Sequence, residues 1–171
     1  MVNKSITLDG QLTYEEFKQY SRYHSRKVLT RYFIIVSSIT FIAIYIMAFD
    51  DLGWFLTISV PLSVTYLGFV TLKVILNFFN KHHYDRNPLL KQKMKYMINA
   101  KSIRLTSDRL QSKYDWEEII SSIEFKDMFL LYLTKTSALI LPKRHFQNKE
   151  DINRFKELLK EKINPKKLKL M

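Results

Sequence analysis

The sequence predicts an α+β protein in which a transmembrane helical hairpin precedes a curled antiparallel sheet or barrel with a C-terminal helix. Three observations predict it. Residues 32–72 carry no ionised side chain except Asp50 and Asp51. Residues 94–146 divide into short segments separated by turn chemistry. Residues 148–163 place apolar side chains on one helical face.

The first element is a short strand at residues 5–8, followed by the turn signal Asp9-Gly10. Thr13 and Glu16 have the spacing of a capping box, in which each side chain reaches the other's backbone N–H and opens a helix. Phe17, Tyr20 and His24 then recur at helical spacing, and this helix can run straight into the first span. His24 reads as an interfacial surface residue rather than a metal ligand.

The segment "YFIIVSSITFIAIYIMAF" gives 18 residues without a charge. At ~1.5 Å rise per residue it reaches roughly 27 Å as a helix, close to the ~30 Å hydrocarbon core of a bilayer. "LGWFLTISVPLSVTYLGFVTL" supplies 21 more. Pro61 is tolerated in membrane helices, and the scattered Ser and Thr hydroxyls suit helix packing in lipid. Trp54, Tyr32, Phe33, Phe78 and Phe79 lie near the ends, as an aromatic belt would. A buried hairpin in a soluble core is the weaker reading, because neither segment has a polar face. Asp50 and Asp51 then mark the tip of a three- or four-residue turn between antiparallel neighbours. A catalytic dyad there would need convergent partners and shelter, which a tight exposed turn does not offer.

After the spans, "NKHHYDRNP" reads as a polar, basic connector. His82, His83 and Asp85 invite a metal reading, but a structural site needs about four ligands in fixed geometry; a hydrated linker is preferred. Strands follow at 94–99, 101–107, 109–115, 119–125, 128–134 and 137–143, with turns at Ser107-Asp108, Lys126-Asp127 and Lys135-Thr136. The inward residues read as Ile103 and Leu105, and as Ile120, Ile123 and Phe125. Evenly spaced short strands suggest a meander that curls into a barrel or two packed sheets. Asn148 is placed to cap the last helix, with Glu150 and Asp151 in its first turn. Its apolar face is Ile152, Phe155, Leu158, Leu159 and Ile163, and Pro165 stops it. Such a helix can plug an open barrel end.

Charge is distributed unevenly. Residues 1–31 hold six bases and three acids, 32–80 one base and two acids, and 81–171 hold 21 bases and 11 acids. Basic residues flank the spans on both outer sides and the turn is acidic, so the positive-inside rule puts both termini in the cytoplasm of a two-span cell-membrane protein. The absence of cysteine excludes disulfides, thiolate metal sites and a Cys nucleophile. No Walker loop, dinucleotide fingerprint or HExxH occurs, and three glycines cannot build a glycine-rich phosphate cradle. The expectation is therefore a protein without catalysis, cofactor or bound metal.

"YDWEEIISSIEFKDMFLLYLTKTSALILPKRHFQNKEDINRFKELL" resembles the C-terminal domain of the YcxB-like bacterial membrane proteins. Trp116 with Ile119 and Ile120, the strand pair around Phe129–Leu133, "LPKRHF" and the helix with Phe155 carry the resemblance. It implies a pleckstrin-homology-like (PH-like) cytoplasmic domain tethered by a membrane hairpin. The expected organisation is a lead-in at 1–31, the hairpin at 32–80, a basic linker at 81–93 and the PH-like domain at 94–171. The general plan also resembles some self-protection proteins encoded beside membrane-active bacteriocins, which makes immunity the alternative reading.

"PKRHF" admits two readings. Lys143, Arg144 and His145 project at phosphate, or Pro142 ends a strand, Phe146 enters the core and the bases form a solvated corner; the second is preferred. Trp116 reads as core. Basic residues near an anionic surface contribute about 1 kcal/mol each, so the candidates for contacting lipid or a partner are Lys93, Lys95, Lys143, Arg144, Lys166 and Lys167. The expected partners are the bilayer's anionic headgroups, another membrane protein or a membrane-active peptide. Nucleic acid is not expected, because anionic lipid already accounts for the charge.

Overall fold

The computed structural model describes residues 5–26, 28–46 and 53–171. Its elements are β1 (Ile6–Gln11), α1 (Tyr14–Arg86), β2 (Lys93–Ile98), β3 (Ser102–Thr106), β4 (Gln111–Asp115), β5 (Ser121–Phe125), β6 (Met128–Tyr132), β7 (Ala138–Pro142), α2 (Lys149–Lys162) and β8 (Leu168–Lys169). They form two compact units: residues 1–20 with 86–171, and residues 21–85.

The second unit is apolar hairpin. Helical geometry in α1 breaks at Gly53, with φ 67 and ψ 167, a region essentially restricted to glycine. Asp50 and Asp51, the expected turn, lie outside the described residues. The two halves of α1 run antiparallel. The Ser21 hydroxyl meets the Asn80 side chain at 2.7 Å, the Phe33 and Phe69 rings meet edge-on at 5.9 Å, and a Cβ on Gly68 would sit 3.2 Å from the Tyr32 hydroxyl.

Thr57, Pro61 and Thr65 recur every four residues and are buried together. The Thr57 hydroxyl donates to the Gly53 carbonyl at 2.8 Å and Thr65 to that of Pro61 at 2.7 Å, so neither polar group is left bare. The outer surface is the reverse of a soluble helix: Ile34, Ile39, Phe55, Leu62, Leu67 and Val74 are all exposed. Water does not tolerate an apolar patch of that extent. Val28–Ile46 and Gly53–Arg86 are both long and apolar enough to cross a membrane.

The first unit is built of two four-stranded sheets, in the orders β1-β2-β3-β4 and β7-β6-β5-β8. Every pairing is antiparallel except the short parallel edge of β8 on β5. β1 comes from before the hairpin and pairs with β2 from after it, Ile6 opposite Ile98 through Gln11 opposite Lys93. Leu8 of β1 makes an isolated bridge to Phe146, beyond the end of β7, and among the described residues the two sheets do not close into a barrel. One core joins them: Ile6, Leu8, Ile98, Ile103, Leu105 and Trp116 from the first side, Phe129, Leu131 and Leu141 from the second. α2 adds Phe155 and Leu159, and Ile163 beyond it, to that core. Rings of Phe129, Phe146 and Phe155 pack mutually at 5.1–5.9 Å. Trp116 is buried, with its indole N–H donating to the Asn99 carbonyl at 3.0 Å.

Four expectations change. Asp9 and Gly10, expected as a turn, lie inside β1, paired with Lys95 and Met94. The connector at 80–88 is largely helix, since α1 continues to Arg86; His82 stacks on Phe78 one turn earlier. β5 buries Ser122 and Glu124, while Ile123 and Phe125 are only half-buried, because the carboxylate there finds cationic partners. The tail "KKLKLM" contributes β8.

Candidate membrane-interface site

The basic candidates divide by what they touch. Lys93 and Lys95 project from β2 on the face of the first sheet opposite the core and are exposed. Lys93 pairs with Asp9 at 2.9 Å. Lys166 and Lys167 are exposed in the 3-10 turn Pro165–Lys167, shaped by Asn164 accepting the Lys166 N–H at 3.0 Å.

Lys143 and Arg144 occupy the 3-10 turn Lys143–His145 after β7. Pro142 ends the strand and Phe146 enters the core; Lys143 is half-buried and Arg144 exposed, and each holds an acid. Lys143 Nζ lies 2.6 Å from Glu124 Oε1, and Lys156 Nζ from α2 lies 2.8 Å from the same atom. The Met171 N–H donates to Glu124 Oε2 at 2.9 Å. Burial alone would raise the Glu124 pKa; the hydrogen bonds from both lysines and Met171 outweigh it and hold it below the ordinary range.

Arg144 grips Glu16 with two nitrogens, at 2.6 and 3.1 Å, and donates to the Gln11 carbonyl at 2.8 Å. Glu16 is the same residue that caps α1, accepting the Thr13 N–H at 2.8 Å while its own N–H reaches the Thr13 hydroxyl at 3.3 Å. Burial pushes its carboxyl up; the Arg144 and Thr13 hydrogen bonds bring it below the usual value. Thus one corner bolts the second sheet to the start of α1.

His145 is buried over Gly10, where a Cβ would fall 2.3 Å from its Cδ2 and Nε2. Burial lowers its pKa and the Arg144 charge adds to this, outweighing Glu16, the Gln11 backbone and Asp9. Beside it, a cleft of about 130 Å³ is lined chiefly by apolar residues, including Leu12, Leu90, Met94, Tyr96 and Leu105.

The structure adds two bases that sequence reading passed over. Arg104 of β3 stands between Met97 of β2 and Lys113 of β4 in one cross-strand row, exposed like Lys93 and Lys95. The next row holds Asp9, Lys95, Thr106 and Gln111. Lys113 pairs with Asp115 at 2.8 Å. The inward phase of Ile103 and Leu105 was the signal that could have turned Arg104 outward. No cluster of three or more metal-ligating side chains occurs among the described residues.

Fold and surface define a class: an α+β domain interrupted in sequence by an apolar hairpin of the membrane-spanning kind. The chain is similar to the YcxB-like proteins. The family model described as "YcxB-like protein" matches residues 98–159. The protein named "Uncharacterized protein YcxB" of Bacillus subtilis (strain 168) is 26% identical over 174 residues, covering 98% of this chain and 94% of that protein. No solved structure matches the chain.

Proposed function

We propose that the chain is an integral membrane protein whose PH-like cytoplasmic domain is a non-catalytic binding module for anionic lipid headgroups. The observation that carries this reading is the exposed face of the first sheet. Lys93, Lys95, Arg104 and Lys113 share it with only Asp9 and Asp115 as acids. Arg104 and Lys113 are directly opposed across strands, where like charges cost stability; Asp115 and Asp9 already pair with Lys113 and Lys93, so Lys95 and Arg104, in no ion pair among the described residues, carry the reading. Lys143 and Arg144 leave the candidate set, since their charges are spent on Glu124 and Glu16; Lys166 and Lys167 stay in it as exposed cations. The PH-like assignment is supported by the two meandering sheets and by α2, whose Phe155 and Leu159 enter the core between them.

The test uses the full chain in nanodiscs with a spin label on Thr106→Cys. In phosphatidylcholine mixed with phosphatidylglycerol the label should be shielded from a water-soluble relaxation agent, and salt should reverse the shielding. The Lys95→Glu/Arg104→Glu variant should lose it. Equal accessibility in neutral and anionic nanodiscs would rule out the headgroup reading.

A further inference from the structure

We infer that the hairpin itself holds a site for one anionic phospholipid, in a cleft between the two halves of α1. The cleft has a volume of about 540 Å³ and is lined by Arg22, Ser25, Arg26, Leu29 and Thr30 from one half and by five residues between Phe69 and Asn80 from the other. That volume falls in the ~300–1,000 Å³ range of ligand clefts. It is a built opening. The Ser21–Asn80 contact at 2.7 Å fastens the halves at one end, and the Phe33–Phe69 ring contact at 5.9 Å fastens them at the other.

Its chemistry is graded along the helices. Arg22, Arg26 and Asn80 lie toward one end; Leu29 and Phe69 lie toward the other. Lys73 stands between, its ammonium 4.3 Å from the centre of the Phe69 ring. Three cations face the cleft and no carboxylate lines it. Among the described residues none of the three is in an ion pair. Arg22 and Arg26 are four residues apart on one helix face, where like charges weaken a helix. Asn77 and Asn80 add amides that can donate to phosphate or ester oxygens. An anion at the charged end relieves the repulsion. An attached apolar body suits the other end, which continues into the exposed apolar surface of the spans, Leu62 and Val70 among it. A phospholipid has both parts in that order, and basic pockets between membrane helices are suited to anionic headgroups. A free phosphate would fill only the charged end.

The inference rests on the hairpin lying in a bilayer, which fractionation of the same cells reports separately. Chain recovered in the soluble fraction would overturn both. Membrane-bound chain that keeps no lipid would overturn the cleft site alone.

The experiment is native mass spectrometry of the full chain extracted in detergent and titrated with phosphatidylglycerol, phosphatidylcholine or glycerol phosphate. One phosphatidylglycerol should remain bound per chain, with phosphatidylcholine and glycerol phosphate retained far less. Arg22→Gln/Arg26→Gln/Lys73→Gln should weaken retention roughly 100-fold, from about 1 kcal/mol per basic residue and tenfold per ~1.4 kcal/mol. Arg22→Lys/Arg26→Lys/Lys73→Arg should retain it. Lys101→Gln/Lys135→Gln/Lys149→Gln, with the same charge loss on the other unit, should bind as the parent does. If the triple glutamine variant cannot be purified folded, Lys73→Gln alone should weaken retention about fivefold by the same reckoning. Equal retention of neutral lipid, equally strong binding of glycerol phosphate, or undiminished retention by the glutamine variant would overturn the site.

Discussion

Replacing Glu124 by glutamine should destabilise the first unit more than any single lysine change around it. The carboxylate is buried on the core face of β5, beside Phe129 of β6 in the register. It accepts from Lys143, Lys156 and the Met171 N–H at 2.6, 2.8 and 2.9 Å. Glutamine keeps the volume and removes the charge, and its amide N–H₂ must face either the two ammonium groups on Oε1 or the Met171 N–H on Oε2. Breaking a buried ion pair from one side costs about 3–5 kcal/mol. Both lysines retain roughly a quarter of their side-chain exposure, at 26% and 24%, so they rehydrate in part, and we expect about 3 kcal/mol, the low end of that range. Lys143→Met leaves Glu124 two donors and should cost only about 1 kcal/mol, one charge-assisted hydrogen bond less the regained solvation.

Trp116 fluorescence in urea is the assay. Trp54→Phe in both proteins leaves Trp116 as the single tryptophan, and Trp116 reports the first unit. With an m-value of about 2 kcal/mol/M, the glutamine variant's midpoint should fall by roughly 1.5 M. The sign with pH follows from the lowered pKa. The stabilisation is present above the ordinary value of 4.5 and lost as pH falls through the lower folded value. The glutamine variant should therefore lose less stability on acidification. A midpoint change under one-third of that expected, with an unchanged acid limb, would refute the role given to Glu124.

Gly10→Ala should cost about 1–3 kcal/mol by overpacking, because its Cβ meets the His145 ring at 2.3 Å; His145→Ala should relieve most of it in a double-mutant cycle. His145, held neutral by burial and by Arg144, should make stability fall as pH drops below its ordinary 6.5 toward the lower folded value, and His145→Gln should remove that slope. Gly53→Ala forces a side chain into φ 67, ψ 167 and should cost about 1–3 kcal/mol, read as a lower thermal midpoint of hairpin helicity in micelles.

Local chemistry was largely legible. Lys126-Asp127, Asn148 and the Thr13–Glu16 box announce a turn, a cap and a helix start; the turn falls between β5 and β6, and the cap and the box each act within three residues. All six strand segments between 94 and 143 form where turn residues bound them. Distant relations were not legible. Nothing local in "ITLDGQ" says that it pairs with "KMKYMI" across the whole hairpin. The role of "KRH" depends on Glu124 and Glu16; the latter is 128 residues from Arg144. A basic run reads as surface until its acids are placed in space, which is why Lys143 and Arg144 looked available. The β5 phase failed for the same reason: two lysines from other elements make it possible to bury Glu124.

The most direct test of the membrane account uses the protein's freedom from cysteine. Single cysteines at Asp51→Cys and Lys169→Cys would be treated with an impermeant thiol reagent on intact cells and again after permeabilisation. The account predicts labelling at position 51 in intact cells and at position 169 only after permeabilisation. Labelling of both sites only after permeabilisation, or of position 169 alone in intact cells, would contradict it.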